Sequence, residues 1–131
     1  MNTDVAVAGS SIDGTTRLEL VVPPDPQLLR IVRLVASGLA SLANLDLDAV
    51  EEVRVAADEV VSTLMEASTG EPIHVRMSVT PELLRLEAST AHAGGTFAPD
   101  PMVDRVLEAV SSRHAWETAD GEARGWSERD R

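Results

Sequence analysis

DLDAVEEVRVAADEVVSTLMEAS, residues 46–68, is the longest uninterrupted helical pattern in the chain and fixes what the rest must pack around. At about 100° per residue, Val50, Val53, Ala57, Val60, Val61 and Leu64 fall on one stripe, the recurrence of a helix face that packs on a core. Glu52, Ala56, Glu59 and Thr63 follow on the opposite side at steps of four, three and four. That spacing predicts Glu59 and Thr63 one above the other, pointing away from the packed stripe, where a site could be built. Asp46 or Asp48 supplies the N-cap, and Glu51 and Glu52 sit near the positive end of the helix dipole. Ser68, Thr69 and Gly70 break the pattern, and Pro72 bars its continuation.

Upstream, residues 1–14 are small and polar and read as a flexible tail, leaving 15–131 as one domain. TTRLELVV, Thr15 to Val22, sets Leu18 and Leu20 against Arg17 and Glu19 and reads as a first strand, ended by Pro23, Pro24 and Pro26. From Asp25, Leu28, Ile31, Val32, Val35 and Leu39 predict a first helix to about Ala43. Arg30 and Arg33 sit three residues apart on its flank, either as a solvated edge or as a contact point for an acidic patch on a partner.

Downstream, Ile73, Val75, Met77 and Val79 alternate through IHVRMSVT, and Leu84 and Leu86 continue the pattern in LLRLEAST after the Pro81–Glu82 turn. AHAGGTFAPDP reads as an irregular loop, and PMVDRVLEAVSS, Pro101 to Ser112, as a third helix. A final hairpin around ADGE pairs Ala115 to Thr118 with Ala123 to Ser127, the second strand being polar and prone to fray. The order is β-α-α-β-β-α-β-β. Strands buried on both faces would read as continuous apolar runs, so the single-sided alternation predicts an α+β, two-layer α/β sandwich with helices on one face of the sheet.

The 22 acidic and 11 basic residues give a formal net charge of -11, which disfavours a nucleic-acid backbone and suits a basic protein partner. The absence of cysteine excludes disulfides, thiol nucleophiles and thiolate metal sites. His74, His92 and His114 are scattered and form no spaced metal-ligand set, so they read as surface residues. No apolar segment is long enough to span a membrane and no basic leader opens the chain, so a cytoplasmic protein without a membrane partner is expected.

This element order, and above all VRVAADEV, resembles the anti-sigma regulatory factors of the serine-kinase type, whose domain has the histidine-kinase-like, Bergerat-type ATPase fold. The resemblance runs from about Thr15 to Ser127 and looks closest to actinobacterial members with reduced nucleotide motifs. It implies that Glu59 stands at the position of the family's activating carboxylate, and Thr63 at that of the Asn that holds magnesium. Ser89 or Thr90 stands where an Asp accepts from the adenine amino group, Gly94 and Gly95 are what remains of the family's glycines, and PMVDRVLEAV carries no glycine-rich lid.

The resemblance therefore implies a regulator that binds a sigma factor, an anti-anti-sigma antagonist or both, through a scaffold with a degenerate ATP site and no cofactor expected. The alternative is an active kinase that takes ATP and magnesium and phosphorylates a serine of an anti-anti-sigma protein, with Glu59 as base and Thr63 as a substitute metal ligand. It further implies a homodimer with the first helix or first strand near the contact, where Thr15 to Val22 would offer a pairing edge at the sheet border.

Overall fold

The computed structural model describes residues 5–12 and 14–131. Strands β1 (Ala6–Ile12) and β2 (Thr15–Val22) precede helices α1 (Leu29–Leu42) and α2 (Leu47–Ala67); β3 (Ile73–Val79), β4 (Leu83–Ala91), α3 (Pro101–Val110), β5 (Arg113–Ala119) and β6 (Glu122–Asp130) follow. The strands form one sheet in the order β1-β2-β3-β4-β6-β5, every neighbouring pair antiparallel. The three helices and this antiparallel sheet make an α+β fold.

Alternation dictates the layering. Ile73, Val75, Met77 and Val79 of β3 are buried, in register with Val22, Leu20 and Leu18 of β2 and with Ala88, Leu86 and Leu84 of β4. Against this face α2 lays Val53, Ala57, Val60, Val61 and Leu64, and the α1 residues Val32, Ala36 and Leu39 complete an aliphatic core. Leu64 is fully buried, and cutting it to Ala would cost about 2–5 kcal/mol. The opposite face is a ladder of charge, in which Arg76 lies beside Glu19 and Glu87, and Arg85 beside Glu128 and Glu87.

Local chemistry sets the helix ends. The Asp46 carboxylate accepts from the Ala49 amide at 2.8 Å to start α2, and Asp100 accepts from Met102 at 2.9 Å to start α3 behind Pro101. A 3-10 turn, Pro26–Leu28, capped by the Asp25 side chain, leads into α1.

Three expectations are corrected. Ala6–Ile12, read as part of a tail, is an edge strand paired with β2 over its whole length, so the observed order begins β-β and the border of the sheet is β1 rather than Thr15–Val22. The rest of that supposed tail, residues 1–4 and 13, lies outside the described residues. The polar final strand, expected to fray, is an interior strand between β4 and β5; Arg124 and Glu128 belong to its solvent-facing side, and Arg129 reaches Glu52 of α2 at 2.7 Å on the other. Finally, Thr63 does not point to solvent: α2 is flanked by α1 and α3 and lies over the sheet, so Thr63 and Ala56 are buried along with the predicted stripe, and Glu59 is only half exposed.

Candidate functional site

Glu59 and Thr63 lie one turn apart on α2, as their spacing requires. Thr63, 8% exposed, donates its hydroxyl to the Glu59 carbonyl oxygen at 2.8 Å, and Ser62 donates to the same oxygen at 3.3 Å. Burial pushes the Glu59 carboxyl above the usual carboxylate range, and repulsion from Asp58 and Glu66 adds to the shift. That carboxyl is better suited to holding a proton than an ordinary surface Glu, and the Thr63 hydroxyl one turn on donates its hydrogen bond to the helix backbone.

Thr90 is buried on β4 and donates to the Pro72 carbonyl at 3.1 Å, tying β4 to the turn that follows α2. Ser89 is also buried. Gly94 and Gly95, at φ +109° and +88°, hold a left-handed turn in the exposed loop after β4, with open space where a side chain would stand.

Between α2, α3 and the end of the sheet, the space is taken by aromatic side chains. Trp116 of β5 lies over Gly125 of β6, so close that a methyl group on Gly125 would fall 2.4–2.5 Å from its ring carbons and 3.4 Å from Leu64. Phe97 meets Trp116 edge to face at 6.0 Å, and His92 packs on Phe97 at 6.2 Å. One carboxylate oxygen of Asp104 on α3 accepts from the Trp116 indole N–H at 2.7 Å and contacts His114 Nε2 at 2.9 Å. The indole bond above all, and His114 with it, hold the Asp104 carboxyl below its usual range against the opposing effect of burial. His114, read as a surface residue, is thus largely covered.

Both candidate hydroxyls, Thr63 and Thr90, are buried and donate to backbone carbonyls, and Gly94 and Gly95 stand in the exposed loop. Among the described residues no group of three His, Asp or Glu side chains is placed to hold a metal ion, and no helix is long and apolar enough to cross a membrane.

The second candidate set is brought together. On the outer side of α1 and α2, Arg30, Arg33, Leu34, Ser37 and Arg54 line an open concavity of about 300 Å³. Arg33 is pinned to Asp58 at 2.5 Å and Arg54 to Glu51 at 2.7 Å, and Leu34 is 72% exposed between them. Arg30 beside an exposed leucine, with Arg33 and Arg54 held by Asp58 and Glu51, makes a mixed charged and apolar patch. Arg54 was missed by sequence reasoning because it is distant in the chain and arrives only through the packing of α2 on α1. The Trp116–Gly125 pair was legible in principle, as a large side chain and a glycine at mirrored distances from the Asp-Gly turn at 120–121.

The protein is thus an α+β scaffold whose central helix carries Glu59 four residues before Thr63. No family profile matches the chain. The chain is similar to proteins named serine-protein kinase RsbW: 27% identical over 124 residues to those of Bacillus licheniformis and Bacillus subtilis, covering 82% of this chain and 76% of each relative. The serine-protein kinase RsbW of Bacillus velezensis is 26% identical over 117 residues, covering 77% of this chain and 72% of its own length.

Proposed function

We propose that this protein is an anti-sigma-type regulator that acts by binding, capturing a sigma factor, its anti-anti-sigma antagonist or both, on a Bergerat-type scaffold with a degenerate ATP site. It works as a cytoplasmic homodimer. The observation that carries this reading is the burial of Thr63, 8% exposed, at the position where the resemblance requires a magnesium-holding Asn, whose amide carbonyl reaches further than a hydroxyl. The aromatic filling by Trp116 and Phe97 and the buried, backbone-bonded Thr90 support it. The partner contact is the patch around Arg30 and Arg33, where Leu34 supplies apolar area and the guanidiniums meet acidic residues of the partner.

The second reading is an active serine kinase, favoured by the relatives' name, serine-protein kinase, and by the raised pKa of Glu59, which suits a base. Calorimetric unfolding with magnesium and ATP separates the two. A ligand at a hundredfold excess over its dissociation constant stabilises the fold by about 2.7 kcal/mol, whereas the binding reading expects no resolvable shift at millimolar nucleotide. A stabilisation that disappears in Glu59→Ala would transfer the conclusion to the kinase. Co-purification of a sigma factor or its antagonist, lost in Arg30→Glu with the unfolding temperature unchanged, tests the contact surface, since Arg30 is exposed.

A further inference from the structure

Every buried apolar side chain among the described residues lies at Leu20 or later, so β1 stands outside the core. All seven of its residues are exposed, and its strand partner is β2 alone, at the border of the sheet. Its fastenings are few. They are the backbone ladder to β2, a Ser11–Thr16 hydroxyl contact at 3.3 Å, and Val5, half-buried against the core just before the strand. In water, backbone hydrogen bonds contribute little beyond what ordering their residues costs, so a strand without buried side chains opens more readily than the sheet it joins.

The edge that β1 covers is built differently. Leu20 and Val22 of β2 are fully buried, and its other edge is paired with β3 from Thr16 to Val22. β2 therefore stays in place when β1 leaves, and then presents a row of unpaired N–H and C=O groups. The register also says what fits that row. Gly9 lies opposite Leu18, and a Cβ at Gly9 would stand 2.6 Å from Leu18 Cδ2 and 3.1 Å from the Arg17 carbonyl oxygen. An extended segment takes this edge only if it is small at that position. β1 meets the condition with Ala8, Gly9 and Ser10, and carries neither a charge nor a proline.

We propose that β1 is a detachable strap over the β2 edge, and that the opened edge accepts, by strand addition, an extended, uncharged segment of another protein with a glycine opposite Leu18. Because β1 competes from the same chain, at the high effective concentration of a tethered strand, the edge stays closed to other strands until the strap is loosened.

Hydrogen exchange on the full chain reads the strap. Titration of the nitrogen-15-labelled chain with the peptide VAVAGSSI, a copy of residues 5–12, to about 2 mM reads the edge by chemical shift. The paired amides of β1 are expected to exchange at least about a hundredfold faster than those of β3. Val5→Ser removes the apolar fastening and Gly9→Val presses on Leu18, and each should speed β1 exchange roughly tenfold or more with β3 unchanged. The chain has no cysteine, so Ser11→Cys with Thr16→Cys places one disulfide across a pair that already touches and locks the strap until a reductant is added.

Peptide-induced shifts along Thr15–Val22 should be largest in Gly9→Val, small in wild type and absent in the oxidised lock. A peptide with valine in place of its glycine should give none. Should Gly9→Val lose its circular dichroism signal, Val5→Ser takes its place in the titration. β1 amides as protected as those of β3 would overturn the strap. A strap that opens over an edge showing no shifts would overturn the acceptance of a strand, and shifts that persist in the oxidised lock would overturn it equally, by placing the peptide elsewhere.

Discussion

Gly125→Ala is the substitution whose sign the structure decides. In an unconstrained strand, replacing glycine by alanine stabilises a protein by about 0.4–1 kcal/mol, because the unfolded chain has less freedom to lose. Here the added methyl would fall 2.4–2.5 Å from two ring carbons of Trp116, well inside contact distance. The indole cannot swing away cheaply, since its N–H is bonded to Asp104 at 2.7 Å and Phe97 stands at its edge. Overpacking of this kind costs about 1–3 kcal/mol, which offsets the entropic gain and leaves a net loss of up to about 2.6 kcal/mol. At this chain length the unfolding temperature should fall by several degrees. Urea unfolding followed by far-ultraviolet circular dichroism measures it, and a double-mutant cycle locates the cause. In a Trp116→Leu background the clash is gone, so Gly125→Ala should become neutral or stabilising, with a coupling above about 1 kcal/mol. If Gly125→Ala stabilises the wild-type protein, the Trp116 packing described here is wrong.

Two further outcomes concern protons. Asp104 has a lowered folded pKa, so its contribution is present above the unfolded value and is lost as pH falls through the folded one. Asp104→Asn should therefore be less stable than wild type near neutral pH, and the gap should close below about pH 3.9, where wild type also takes up the proton; denaturant midpoints at neutral and acid pH check this. Glu59 has the opposite sign. Its raised folded pKa penalises the fold once pH exceeds the ordinary value of 4.5, so Glu59→Gln should stabilise near neutral pH and lose that gain in acid. A destabilised Glu59→Gln at neutral pH would show that the carboxylate has a favourable partner.

The helical layer and the central strands were legible because each carries a regular run of buried apolar residues. Ile73 to Val79 alternate cleanly, and Val53 to Leu64 trace one helical stripe. β1 was not legible for the converse reason: all of AVAGSSI is exposed, so its side chains carry no burial pattern and only backbone pairing to β2 makes it a strand. The Asp-Gly pair at 13–14, with Gly14 at φ +74°, was the available hairpin signal. Thr63 misled because a helical wheel shows which residues share a side but not how many sides are covered, and α3 covers a second side of α2. Of the site residues, the Arg30 and Arg33 pair was visible as a spacing, while Arg54 joined it only through tertiary packing.

The two tryptophans sit on opposite faces of one hairpin, Trp116 against the core and Trp126 beneath Arg85 on the outer side. Because the chain has no tyrosine and a single phenylalanine, its near-ultraviolet absorption and intrinsic emission come almost wholly from these two indoles. The protein thus carries two built-in optical probes on opposite sides of the same sheet. Replacing one by phenylalanine isolates the other, so a ligand entering between α2 and α3 would be seen through Trp116 and a body closing on the outer face through Trp126, without any attached dye.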